Sequence, residues 1–302
     1  MTAADALMDG LVDYAGLFPP ASQDMRSAVE SYASYRAGPD RPALGKLIVP
    51  IDRLGEFEEA ARDLLPRGEG TAPWHLSVLV PGDVRAAADR MLKFNCHHWS
   101  GSEAGHALID AVELKAATPD QIDAQHRELP DFFQKYFEIP LGPGVHTLVK
   151  AIARAGARAK VRTGGVKADA FPDARDLLAF LVACQSEGVP FKATAGLHHP
   201  LRGPYKLTYE PNAASGTMYG FLNVFLAAAL LRQGVAESIV LEVLQESDAA
   251  AFDFSNEGIK WREYRVTASE LRAVRSGLAI SFGSCSFREP VDELTQLISA
   301  HA

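Results

Sequence analysis

The chain has 302 residues, 47% of them hydrophobic and 23% charged, with a formal net charge of −8. This is globular composition with enough material for a core that needs no disulfide or metal staple, and it excludes disordered, fibrous and disulfide-scaffold classes. Acidic and basic residues are mixed and no basic stripe appears, which argues against nucleic-acid binding while leaving an anionic small-molecule substrate open.

Along the chain, short apolar runs alternate with helical stretches. A first strand-like run lies in "LVDYAGLFPPA" (11–21), before a helix with Val29 and Tyr32 on one face. "GKLIVPI" (45–51) precedes "LGEFEEAARDLL", and "WHLSVLVPG" (74–82) precedes "DVRAAADRMLKF", where Asp83 is placed to cap. "DAVELKA" (110–116) precedes "TPDQIDAQHREL", with Thr118 as cap and Pro119 at the first helical position. "DFFQKYFEIPLG" (131–142) leads into "VHTLVKAIARAG", whose closing glycine suits a left-handed terminus. "RAKVRTGG" (158–165), "PFKATAG" (190–196) and "LAISFGSCSF" (278–287) complete the strands, and a terminal helix follows the last.

Eight strand-like runs, each followed by a helical segment, predict a parallel sheet, and in about 300 residues they fit a (β/α)8 TIM barrel. The prediction is α/β, one domain over residues 1–302, with an elaborated insertion between strands seven and eight (200–270). A doubly wound open sheet is the alternative, but no GxGxxG follows the first strand, which weakens a dinucleotide reading.

Cys96, Cys184 and Cys285 are far apart and form no CxxC, as expected of a reduced, cytoplasmic protein. The first residues lack the basic n-region of a secretory signal. The longest apolar stretch, 219–234, contains Asn223 and Arg232 and reads as a buried helix, not a membrane span. No membrane or nucleic-acid partner is expected, and homo-oligomerisation is left open.

Alternation along the strands aims charge at the barrel interior. If Val112, Leu114, Phe137, Ile139, Ala159, Val161, Phe191 and Ala193 face the helices, then Glu113, Lys115, Glu138, Lys160, Arg162, Lys192 and Thr194 point inward. Unpaired buried charge is costly, so this polar sector needs a reason. One reason is an inert ion-pair network, with Glu113 neutralising Lys115 or Lys160 and Glu138 neutralising Arg162. Packing alone would favour aliphatic residues there. The other reason is catalysis, because burial and a neighbouring cation make a lysine nucleophilic.

"AKVRTGG", then a helix, then "PFKATAG" resembles the last third of deoxyribose-phosphate aldolase and its class I, Schiff-base aldolase relatives, over about 40 residues. The resemblance implies that Lys160 forms the imine, that Lys192, one βα unit later, lowers its pKa, and that a carboxylate, Glu113 or Glu138, moves protons. No cofactor is implied. Where those relatives continue into a glycine-rich phosphate-binding turn, this chain has Leu197-His198-His199-Pro200, and Arg162 stands where a small residue is usual. The expected substrate is therefore a small carbonyl compound bearing a carboxylate or hydroxyls, not a phosphorylated sugar.

His198 is a candidate general acid or base, since imidazole titrates near neutrality. His199, Arg162, Thr163, Gly164, Thr194, Lys115, Gly283, Ser284 and Ser286 are candidate substrate contacts. Neighbouring histidines in an extended chain point opposite ways, so a shared metal is not expected. Cys285 reads as a small buried thiol or a nucleophile, and Asp13, Tyr14 and Asn223 as weaker candidates. His97 and His98, after the third helix and on the opposite side of the barrel, read as structural. Three functions follow: an imine-forming carbon–carbon lyase; a divalent-metal lyase, isomerase or hydrolase using His198 or His199; and a non-catalytic metabolite-binding barrel.

Overall fold

Eight strands run parallel and close into a barrel: β1 (Val12–Tyr14), β2 (Leu44–Pro50), β3 (Trp74–Leu79), β4 (Ala107–Lys115), β5 (Gln134–Glu138), β6 (Arg158–Arg162), β7 (Phe191–Thr194) and β13 (Ala279–Ser284). Each pairs with the next, and β13 closes on β1. The computed structural model describes residues 2–99 and 103–300. Helices α2 (Met25–Ala37), α3 (Leu54–Ala61), α4 (Val84–Trp99), α5 (Pro119–Glu128), α6 (Val145–Arg154) and α7 (Ala174–Glu187) connect the first seven strands, and α11 (Arg288–Ala300) follows the eighth. This is the (β/α)8 barrel that the eight βα repeats predict.

The local signals act as expected. Thr118 accepts a hydrogen bond from the Gln121 N–H, with Pro119 at the first helical position, and the Asp83 carboxylate accepts from the Ala86 N–H. Gly156, after α6, has φ +61°, a left-handed conformation that glycine adopts without a Cβ penalty. One helix was not anticipated: α1 (Ala3–Met8) precedes β1, started by a capping box between Thr2 and Asp5. His97 and His98 do not follow a helix that ends earlier; α4 continues through them to Trp99.

The insertion between β7 and β13 contains a hairpin, β8 (Gly203–Lys206) and β9 (Ser215–Met218), then α8 (Phe221–Arg232) and α9 (Glu237–Gln245). A small antiparallel sheet, β10 (Phe252–Phe254), β11 (Gly258–Trp261) and β12 (Tyr264–Thr267), leads into α10 (Ala268–Gly277). Helix α8 is apolar on every side because it is enclosed on every side, by the barrel wall at Phe282 and by α7, α9 and α10. Among the described residues no helix is long and apolar enough to cross a membrane.

Asn223, inside this apolar helix, is a structural clamp. Its Oδ1 accepts from the Arg202 N–H, and its Nδ2 donates to the carbonyls of Val243 and Glu246. It ties the loop after β7 to the end of α9 and lies outside the barrel cavity. Gly220, just before, leaves room for this: a Cβ there would collide with the Pro200 carbonyl and Asn223 Oδ1. Asn223→Leu strips partners from one buried and two part-buried backbone groups and is expected to cost about 2–4 kcal/mol, read by urea denaturation.

Candidate active site

The barrel interior carries a chain of alternating charges. Lys160 and Lys192 are direct neighbours across β6 and β7. Lys160 Nζ lies 2.8 Å from Glu113 Oε2 and 2.8 Å from Glu138 Oε2. Lys192 Nζ lies 2.7 Å from Glu113 Oε1 and 2.5 Å from Asp13 Oδ2. Glu113 on β4 therefore stands between the two ammonium groups and gives one oxygen to each. Ser77 on β3 donates to Glu113 Oε1 at 2.7 Å, and Ser281 on β13 donates to Asp13 Oδ2 at 2.9 Å. The Tyr136 ring on β5 has Lys192 Nζ 5.3 Å from its centroid, within cation–π range.

The acidities follow from this pairing. Burial raises the Glu113 pKa, but Lys160 and Lys192 outweigh it and hold the carboxyl well below its usual range. Glu138 behaves alike: burial raises it, and Lys160 lowers it further. Burial lowers the Lys192 pKa, but Asp13 and Glu113 raise it well above the ordinary lysine value. Lys192 and Lys160 therefore do not face each other directly, because the Glu113 carboxylate is interposed.

A cavity of about 730 Å³ opens at the C-terminal strand ends, the end at which barrel enzymes act. Lys160, Glu113 and Glu138 line it; Lys192 does not, being covered beneath Glu113. Arg162 and Lys115 line the mouth, with Nε of Arg162 3.7 Å and Nζ of Lys115 3.8 Å from Glu138 Oε1. Both are expected inward, but each ends its strand: the Lys115 side chain is 77% exposed and that of Arg162 51%. Thr194 and Gly283 also line the cavity.

Four expected substrate contacts have other duties. Thr163 is fully buried and its hydroxyl donates to the Ala195 carbonyl at 2.6 Å. That bond holds a turn in which Ala195 adopts φ +60° and Gly196 φ +75°. A non-glycine residue is uncommon in this conformation, and such strain concentrates at functional sites. Gly164 packs against the Phe171 ring, and its neighbour Gly165 lines the cavity instead. Ser284 is buried, its Oγ 3.4 Å from His198 Nδ1. Ser286 accepts from the Glu289 N–H in the first turn of α11. Tyr14 faces the helix layer and donates to Gln23.

The turn at Ala195–Gly196 carries His198 and His199 over the cavity, and both line it. The chain is not extended there, so the histidines do not diverge: their ring centroids are 6.3 Å apart. Each has its own carboxylate on α11, spaced one turn apart on one face. His198 Nδ1 is 3.2 Å from Glu289 Oε2, and His199 Nδ1 is 2.8 Å from Glu293 Oε2. His199 also stacks on Tyr205 from the hairpin, centroids 3.5 Å apart. Cys285 Sγ lies 3.9 Å from His198 Nδ1, and the Tyr209 hydroxyl lies 3.0 Å from Glu289 Oε2 and 3.6 Å from Cys285 Sγ. Among the described residues, the group of three mutually close metal-capable side chains is not here but at Glu58, His97 and His98.

Burial lowers the His198 pKa, but Cys285 and Glu289 reverse this and raise it to about 9. A raised folded-state pKa stabilises below the unfolded value near 6.5 and loses that contribution as pH rises through about 9. Wild-type protein is therefore expected to lose on the order of 2 kcal/mol more between these limits than Glu289→Gln, compared by urea denaturation across the window.

No family model matches the chain, and no curated protein matches it. Among solved structures, that of a nitroalkane oxidase from Streptomyces ansochromogenes is similar at 15% identity, covering 66% of this chain and 62% of that one with a TM-score of 0.32. The chain thus spans under two thirds of that protein's length. At this level the likeness carries no argument about activity, and the architecture rests on the barrel's own strand order.

Proposed function

We propose that the chain is a carbon–carbon lyase of the imine-forming aldolase type, acting in the cytoplasm on a small carbonyl compound with an anionic or hydroxylated tail. The observation that carries this reading is Lys160: an amine on the wall of a 730 Å³ cavity, held between two carboxylates at hydrogen-bond distance. An inert packing network has no need of a cavity above its cation.

In this reading Arg162 and Lys115 at the mouth bind the substrate's anionic end. Lys160 passes a proton to Glu138, the more open of its two partners, and its free amine attacks the carbonyl carbon. Glu138 is acidic because Lys160 is charged, so losing that charge relaxes the depression and makes the transfer feasible. One proton of the attacking amine moves to the former carbonyl oxygen to give the carbinolamine, and Glu138 returns the one it took to that hydroxyl, which leaves as water. The resulting iminium draws in the electrons of the bond between the next two carbons, leaving an enamine on Lys160. Glu138, a carboxylate again, takes the proton of the hydroxyl that becomes the carbonyl of the departing fragment, and His198, seated against Glu289, protonates the enamine carbon before water hydrolyses the imine. Glu113 keeps both lysines in register, and Lys192 serves as a positioning charge beneath it.

The test is borohydride reduction in the presence of a panel of small aldehydes, ketones and keto acids. A stable mass adduct on Lys160 supports the reading; a panel that leaves the protein unmodified opposes it.

A further inference from the structure

We propose that Glu58, His97 and His98 form a binding site for a divalent transition-metal ion of the zinc class, joining α3 to the last turn of α4. The site is separate from the lysine cavity. The end of α4 returns to the N-terminal end of β4, and the cavity opens at the opposite strand ends.

His98 supplies the central observation. It is 3% exposed, and its Nδ1 is 2.9 Å from the Gly105 carbonyl oxygen. A carbonyl only accepts, so Nδ1 carries the proton and Nε2 carries the lone pair. The Nε2 atom nevertheless has no hydrogen-bond donor. What faces it is a carboxylate, with Glu58 Oε1 at 3.5 Å. Two acceptors confronting each other in a shielded place are unfavourable. A cation between them turns both lone pairs into ligands.

His97 completes the set. Its ring centroid is 5.0 Å from that of His98, and one ligand atom from each of the three residues lies within 4.8 Å of the others. Tetrahedral zinc bonds of about 2.0–2.1 Å set ligand pairs roughly 3.3–3.5 Å apart, so rotamer changes close the triangle. Those changes fall on the more exposed members, Glu58 and His97, while His98 stays fixed. The hydrogen bond from the far imidazole nitrogen to a backbone carbonyl is the outer-shell arrangement that orients a metal-binding histidine. Two imidazoles and a carboxylate favour zinc, nickel or copper over magnesium or calcium.

The experiment is equilibrium dialysis of the untagged chain against zinc chloride near neutral pH, read by elemental analysis, with cobalt(II) absorption as a second readout. Wild-type protein should take up one equivalent. Glu58→Gln and His97→Asn, which leave the His98–Gly105 bond intact, should each weaken uptake at least about tenfold. His146→Asn, at the separate His146–Glu187 pair, should leave it unchanged. Absence of a stoichiometric site, retention of full uptake in both Glu58→Gln and His97→Asn, or loss in His146→Asn would overturn the proposal.

Discussion

Lys160→Ala is expected to lower turnover of any substrate found by trapping at least about a thousandfold, and Lys160→Arg is expected to fail equally. The pair separates the readings of the charged interior. Arginine keeps a cation between Glu113 and Glu138 but cannot become a neutral amine at working pH. If the lysine serves only to neutralise two carboxylates, the arginine variant retains function and the alanine variant alone loses it. If the barrel merely binds a metabolite, both variants change affinity and no chemical step is lost. Steady-state kinetics on the two variants, with KM and kcat resolved, decides among these outcomes.

Lys192→Met is expected to be the most destabilising single change in the interior, costing about 3–5 kcal/mol by urea denaturation. It leaves Asp13 buried without its cation and takes from Glu113 one of its two, in a place water does not reach: the Lys192 side chain is 1% exposed. Adding Asp13→Asn should recover part of the loss, because the uncompensated charge and not the missing methylenes dominates. The pH dependence has a defined sign. A carboxyl whose folded pKa is depressed stabilises above the unfolded value near 4.3 and loses that contribution as pH falls through the folded one. Wild-type protein should therefore weaken steeply below about pH 4, and Lys192→Met, with less depression of Glu113, more gently.

The barrel was legible because strand parity and βα repetition are local properties. Lys160, Lys192, Glu113 and Glu138 could be placed on one face from alternation alone, and the structure brings all four together. Their pairing was not legible, because which carboxylate stands between two cations depends on the stagger of strands across the closed sheet. Asp13 is hard to place from sequence, since a three-residue strand gives little alternation to read. Ser77 and Ser281 are small residues in apolar strands, and strand parity is the signal that aims them inward. Glu289 and Glu293 were missed as partners of His198 and His199, although their spacing of four on the terminal helix marks one face. Tyr209 arrives from a long irregular loop, whose path no local rule gives. The Thr163 and Ser286 hydroxyls bond backbone groups, a duty that strand alternation does not reveal.

The central claim is that Lys160 becomes a covalent catalyst, and peptide mapping after borohydride reduction with carbonyl compounds tests it most directly. The account requires the reduced adduct on the peptide carrying Lys160, absent from Lys160→Arg and weakened by Glu138→Gln. An adduct on another lysine, or none from a panel that the protein demonstrably turns over, would contradict it.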